Sequence, residues 1–248
     1  MEFNGERIRE MKKLKLELAT ILGAFALLVT SFTTSAGAVD WGSIGAGVNF
    51  GGAHAEIAGK ETGAATDESA TEDAQMAIAS AYAQITLGDQ WFGKGNGFAF
   101  GYETFFGEAT FSNESEGISD IKGSATGVIT TVKNSAEATI KNIGTMYIET
   151  PGFTPLGIFL KAGWSDMDLI TKEDLGTGGA YGDASIDGAL VGFGFKKSVG
   201  HFHIKSEVNY TDWDSISLTN TGTATVGATS VTGTPEVWSG KIGIGIQF

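Results

Sequence analysis

The chain has 248 residues, a net charge of −13, 37 glycines, three prolines and no cysteine. Without cysteine it has no disulfide framework, and the acidic balance leaves no basic patch for nucleic acid. Hydrophobic residues reach 42% and the mean hydropathy is +0.04, yet no apolar run is long enough for a helical membrane span.

The N-terminal segment reads as a targeting signal. Lys12, Lys13 and Lys15 precede an apolar run from Leu18 to Val29, followed by the small-x-small triplet Ala36-Gly37-Ala38. Roughly 12 apolar residues fall short of the roughly 20 a spanning helix needs, so residues 1–38 are expected to be an N-terminal extension plus a secretory signal peptide cleaved after Ala38. Met11 makes the better start, because residues 1–10 add a mixed-charge prefix. Residues 39–248 then form one domain with 11 bases against 25 acids and no arginine.

Within that domain, period-two alternation predicts eight strands, at about 41–50, 76–87, 97–111, 138–149, 156–166, 185–196, 201–213 and 236–248. The connections alternate long and short. The long ones (51–75, 112–137, 167–184, 214–235) are rich in Gly, Ala, Ser, Thr and acidic residues and read as solvated, mobile loops. The short ones (88–96, 150–155, 197–200) carry turn formers such as Gly93, Gly95, Pro151 and Gly152. This rhythm predicts an all-β fold: an eight-stranded, antiparallel, up-and-down transmembrane β-barrel with both termini in the periplasm and four long acidic loops outside.

The alternation also assigns faces. In the third strand Phe98, Phe100, Tyr102, Thr104 and Phe106 share one face, with Gly101 and Glu103 opposite. In the seventh, Phe202, Ile204, Ser206, Val208 and Tyr210 oppose His203, Lys205, Glu207, Asn209 and Thr211. Periodicity does not say which face is inside; the leader and the C-terminus decide for apolar outward. Aromatic residues then fall at two levels, as interfacial belts would: Trp41, Phe98, Phe195, Phe202 and Phe248 near the periplasmic ends, and Phe50, Phe106, Trp164, Tyr210, Trp213 and Trp238 near the outer ends. Ordinary strand propensity also enriches aromatics.

Five charges then face a lumen just wide enough for side chains: Glu103, Lys161, Lys205, Glu207 and Lys241. They form either a lysine–carboxylate network plugging the barrel or a set of groups contacting lumenal water, and both readings disfavour a wide pore. His54, His201 and His203 are too few and too scattered for a metal centre; His201 and His203 share a strand face, where a polar lumenal filler is the expected role. The acidic residues Asp67, Glu68, Glu72 and Asp73 read as a solvated loop, with divalent-cation binding as the alternative. No phosphate-binding motif occurs. No catalytic, metal or cofactor site is expected.

The last eight residues, Lys241 to Phe248, alternate without a break. Lys241, Gly243, Ile246 and Phe248 resemble the C-terminal signal of bacterial outer-membrane barrels, which implies recognition by the barrel-assembly machinery. Leu160-Lys161-Ala162-Gly163-Trp164 and Lys205-Ser206-Glu207-Val208-Asn209-Tyr210 resemble strands of the OmpA-like and opacity-type superfamily. The resemblance implies a monomeric outer-membrane protein contacting membrane lipids and lipopolysaccharide, with a structural or surface-contact role. No periplasmic peptidoglycan-binding domain is expected, so cell-wall tethering does not carry over. The alternative is a narrow porin or an OmpW-like conduit. A lipid-A-modifying enzyme is a minor alternative, because only His54 lies on the outer side and it lacks an evident base-orienting partner.

Overall fold

The computed structural model describes residues 42–63, 67–93, 95–113, 119–123, 129–133, 135–153, 156–174, 180–220 and 228–248. The expected leader, with Ala36 and Ala38, and the expected belt residue Trp41 lie outside the described residues. The barrel unit spans Gly42–Gln247.

The strands are β1 (Gly42–Gly63), β2 (Asp67–Leu87), β3 (Phe98–Phe106), β4 (Ala109–Asn113), β5 (Ser119–Gly123), β6 (Ile129–Lys133), β7 (Ser135–Glu149), β8 (Ile158–Asp174), β9 (Ala184–Val199), β10 (Phe202–Trp213), β11 (Ile216–Thr219) and β12 (Ala228–Gln247). Among the described residues, eight close a ring in the order β1-β2-β3-β7-β8-β9-β10-β12, with β12 pairing back to β1, all antiparallel. β4 continues the line of β3 beyond a kink at Gly107 (φ 97°) and pairs β7; β11 pairs β12; β5 and β6 form a separate hairpin. A cross-strand row begun at Asp73 on β2 passes through Glu56, Glu236, Asp212, Ala189, Trp164, Met146 and Tyr102, and returns to β2 at Ala83. That stagger of ten residues means tilted strands, on the order of 40° from the barrel axis.

The polarity is inside out relative to a water-soluble barrel. Phe100, Ile148, Leu160, Trp164, Phe193, Ile204 and Ile244 face outward and are each at least half exposed, while Glu103, Lys161, Lys205, Glu207 and Lys241 point inward and are buried. An apolar outer wall around a polar interior is the distribution a hydrocarbon solvent selects.

Three expectations need correction. Strand extends well into the segments 51–75, 167–184 and 214–235: the β1–β2 ladder runs unbroken to the pair Thr62–Asp67, β8 reaches Asp174, and β12 starts at Ala228. Within 112–137, β5, β6 and the start of β7 are strands too. Backbone pairing needs no apolar side chains, so the ladder outlasts the hydrophobic alternation that signalled it. Asp67, Glu68, Glu72 and Asp73 therefore belong to β2. The expected 88–96 turn holds a one-turn helix, α1 (Asp89–Phe92), entered through Gly88 at φ 84°. Finally, Trp213 faces inward: it is an odd-numbered position on a strand whose even positions face out. It packs in a cluster with Ile140, Met167, Leu169 and Ile186.

Candidate functional site

The barrel interior is the candidate site. Each lumenal charge is delivered by strand parity: Glu103 from β3, Lys161 from β8, Lys205 and Glu207 from β10, and Lys241 from β12, all buried. Some of their contacts reach past the neighbouring strand, whereas Lys241 and Glu207 are direct cross-strand partners. Lys161 is the cross-strand neighbour of Glu149, yet its Nζ lies 3.0 Å from Glu103 Oε2 and 3.1 Å from Glu207 Oε1. Lys241 Nζ lies 2.6 Å from Glu103 Oε1 and 2.9 Å from Glu207 Oε1. Glu103, Lys161, Glu207 and Lys241 are thus in one network, which Lys205 joins through Glu207.

Two further members, Glu149 and Lys196, were not singled out from the sequence. Lys205 Nζ lies 2.9 Å from Glu149 Oε1 and 3.7 Å from Glu207 Oε2. Lys196 Nζ sits 3.7 Å from Glu149 Oε2 and donates to the carbonyls of Gly97 and Thr150, each at 3.3 Å. Parity would have found both: Glu149 shares a face with Tyr147, and Lys196 opposes Phe195.

Neutral groups complete the shell. Glu103 accepts from Asn49 Nδ2 at 2.7 Å and Ser80 Oγ at 2.5 Å, and Glu207 accepts from Asn209 Nδ2 at 3.3 Å. Lys161 stands 4.1 Å from the Tyr147 ring centroid and Lys205 stands 4.2 Å from that of Tyr82. Carboxylates removed from water cost several kcal/mol each unless paired and hydrogen-bonded, and here partners come from six strands.

Two layers flank the charges. Toward the short-turn end, Phe159 is fully buried, with Lys196 Nζ 5.3 Å from its ring centroid. Toward the other end lies the apolar Trp213 cluster, joined by Ile216, Leu218 and Val237. A hydrated ion passing through this interior must displace existing ion pairs.

The histidines have separate partners. His203 is buried in the lumen and hydrogen-bonds the Tyr82 hydroxyl, whereas exposed His201 bonds the Gln247 carbonyl at 3.1 Å. His54 is on the outward face, opposite Trp238 on β12. Among the described residues, no group of three or more His, Cys, Asp or Glu is arranged to hold a metal.

Of the expected belt residues, Phe50, Phe98, Trp164, Phe195, Phe202, Trp238 and Phe248 are exposed, and Phe106 and Tyr210 are half-buried on the outward face. In the C-terminal strand Lys241 and Gly243 face the lumen, while Ile246 shares the outward face with Ile244.

Comparison with protein-family models gives no match, and neither does comparison with curated proteins. Among solved structures, the chain is similar to the outer membrane protein OprG from Pseudomonas aeruginosa, at 11% identity and TM-score 0.48, covering 84% of this chain and 97% of that one. It is similar to Ail, the attachment invasion locus protein of Yersinia pestis, at 10% identity and TM-score 0.42, covering 84% and 99%. It is also similar to the outer membrane protease OmpT from Escherichia coli, at 10% identity and TM-score 0.42, covering 83% and 97%.

Proposed function

We propose that the chain is an integral bacterial outer-membrane β-barrel of the OmpA-like and opacity-type kind. Its termini face the periplasm, its lumen is sealed, and its role is structural and surface-contacting rather than catalytic. The location is supported by the outward apolar wall, and the orientation by the asymmetry of the connections. Short turns such as 200–201 occupy one end, and the extended β1–β2 and β7–β8 ladders project from the other. The contact surface is then the projecting ladders instead of mobile loops. Lipopolysaccharide and outer-membrane lipids surround the wall, and the barrel-assembly machinery reads the terminal Lys241, Gly243, Ile246 and Phe248.

The observation that carries the sealed-lumen reading is the interlocked set Glu103, Glu207, Lys161 and Lys241, whose side chains retain at most 1% of their solvent exposure. Single-channel recording in planar bilayers tests it. The folded wild-type protein is expected to give no steady openings. Steady openings whose selectivity changes in Lys161→Ala or Glu103→Ala would establish a narrow conduit instead.

A further inference from the structure

On the outward face, register sets side chains from β2, β1, β12 and β10 in rows of four. One row is nearly empty: Ala77, Gly52, Gly240 and Val208 are successive cross-strand partners. It floors a cavity of about 660 Å³. Phe50 and Ile242, 60% and 63% exposed, stand along its short-turn side. Along its other side stand His54, Trp238 and Tyr210, the last two with ring centroids 4.9 Å apart.

The fold does not require glycine in this trough. A Cβ built at Gly240 meets nothing within 4 Å, and one at Gly52 meets only the Met76 carbonyl oxygen at 3.7 Å; neither residue has positive φ. The inward glycines of the same strand differ, since a Cβ at Gly243 or Gly245 would run into Asn49 or into His203 and Tyr82. The missing side chains at 52 and 240 therefore leave space and serve no packing need.

One row farther from the short turns, Asp73, Glu56, Glu236 and Asp212 are successive cross-strand partners, all exposed. Four carboxylates in opposed positions repel one another, and a cation placed among them relieves that repulsion. An anionic molecule is repelled by them, and a neutral one gains no charge attraction from them. Aromatic faces attract cations in the same way, most strongly where water is excluded.

We propose that this trough binds a membrane amphiphile with a cationic, amine-type headgroup. Its apolar body lies over Gly52 and Gly240, and its ammonium lies against the Trp238–Tyr210 pair beneath the carboxylate row. The site rests on the outward face meeting lipid and is independent of whether the lumen conducts.

The test titrates the folded full chain, in neutral maltoside micelles, with an alkyltrimethylammonium ion, and compares the alkyl sulfate of the same chain length. The expected result is saturable binding with nuclear Overhauser contacts from the N-methyl protons to the Trp238 indole, and neither with the sulfate. Gly240→Leu fills the trough and is expected to abolish saturation, and the Glu56→Gln, Glu236→Gln pair to weaken binding about tenfold. Equal saturation by the sulfate, or unchanged binding in Gly240→Leu and in the double glutamine variant, overturns the proposal. Heat-modifiable gel migration of the same samples confirms that each variant is a folded barrel. A chain that stays folded in buffer without detergent removes the lipid-facing reading itself.

Discussion

Lys161 on β8 meets Glu103 on β3 across the lumen, with Nζ 3.0 Å from Oε2 and neither side chain exposed to solvent. The two residues lie on opposite flanks of β7, so closure of the barrel, not strand pairing, brings them together. The same carboxylate also holds Lys241, Asn49 and Ser80, so its loss strands two ammoniums and two neutral donors.

Glu103→Ala leaves two buried ammoniums short of a counter-charge. Breaking a buried pair on one side costs about 3–5 kcal/mol. The denaturant midpoint for unfolding from detergent or lipid, read by gel migration, should fall accordingly. Glu103→Ala combined with Lys161→Ala should cost less than the two single losses added together. Strict additivity would mean the two groups do not interact.

Glycines on opposite faces of β12 should respond oppositely to a methyl group. A Cβ at Gly243 collides with the amide oxygen of Asn49, whose Nδ2 donates to Glu103, and overpacking typically costs about 1–3 kcal/mol. At Gly240 the space is open, so Gly240→Ala should unfold at or slightly above the wild-type midpoint. Unfolding curves for the two variants check the contrast.

Asn142 has φ 54° at the register shift in β7, a conformation Asn tolerates better than most residues. There its Nδ2 donates to Asp168 Oδ2 at 2.8 Å, while Ser185 Oγ donates to Asp168 Oδ1 at 2.7 Å. Asp168 lies beyond Trp164, the last outward apolar side chain before Asp166, and so outside the lipid-facing span. The two donors hold its carboxyl below the usual aspartate range, the Ser185 bond first. A lowered folded value means a contribution present at neutral pH and lost as pH falls below the ordinary aspartate value of about 3.9. Ser185→Ala should move the Asp168 titration, followed by carboxyl NMR, upward. Asn142→Ala should cost about 1 kcal/mol through its backbone, and Asn142→Gly should restore the backbone but not the titration.

The outward carboxylates Glu56 and Glu236 are directly opposed on β1 and β12. Glu236→Gln should therefore raise the unfolding midpoint slightly in low salt, and the gain should shrink as salt screens the repulsion. A midpoint that falls, or a gain insensitive to salt, would show that the row is not under electrostatic strain.

Much of this barrel is local and therefore readable along the chain. Alternation in 201–213 and 236–248 assigned Lys205, Glu207 and Lys241 to one face because successive side chains in any strand point to opposite sides. The same rule puts Trp213 on the lumenal face, against the expected outer belt, and puts Glu149 and Lys196 on the face of the lumenal charges. Other features had no local signal. The ladder from Phe50 to Thr62 persists on backbone hydrogen bonds after the apolar alternation fades, and those bonds leave no mark in side-chain type. Which lysine meets which glutamate depends on the ten-residue stagger at closure, a property of the whole ring. The empty row at Gly52 and Gly240 likewise exists only once β1 and β12, at opposite ends of the chain, are brought into register.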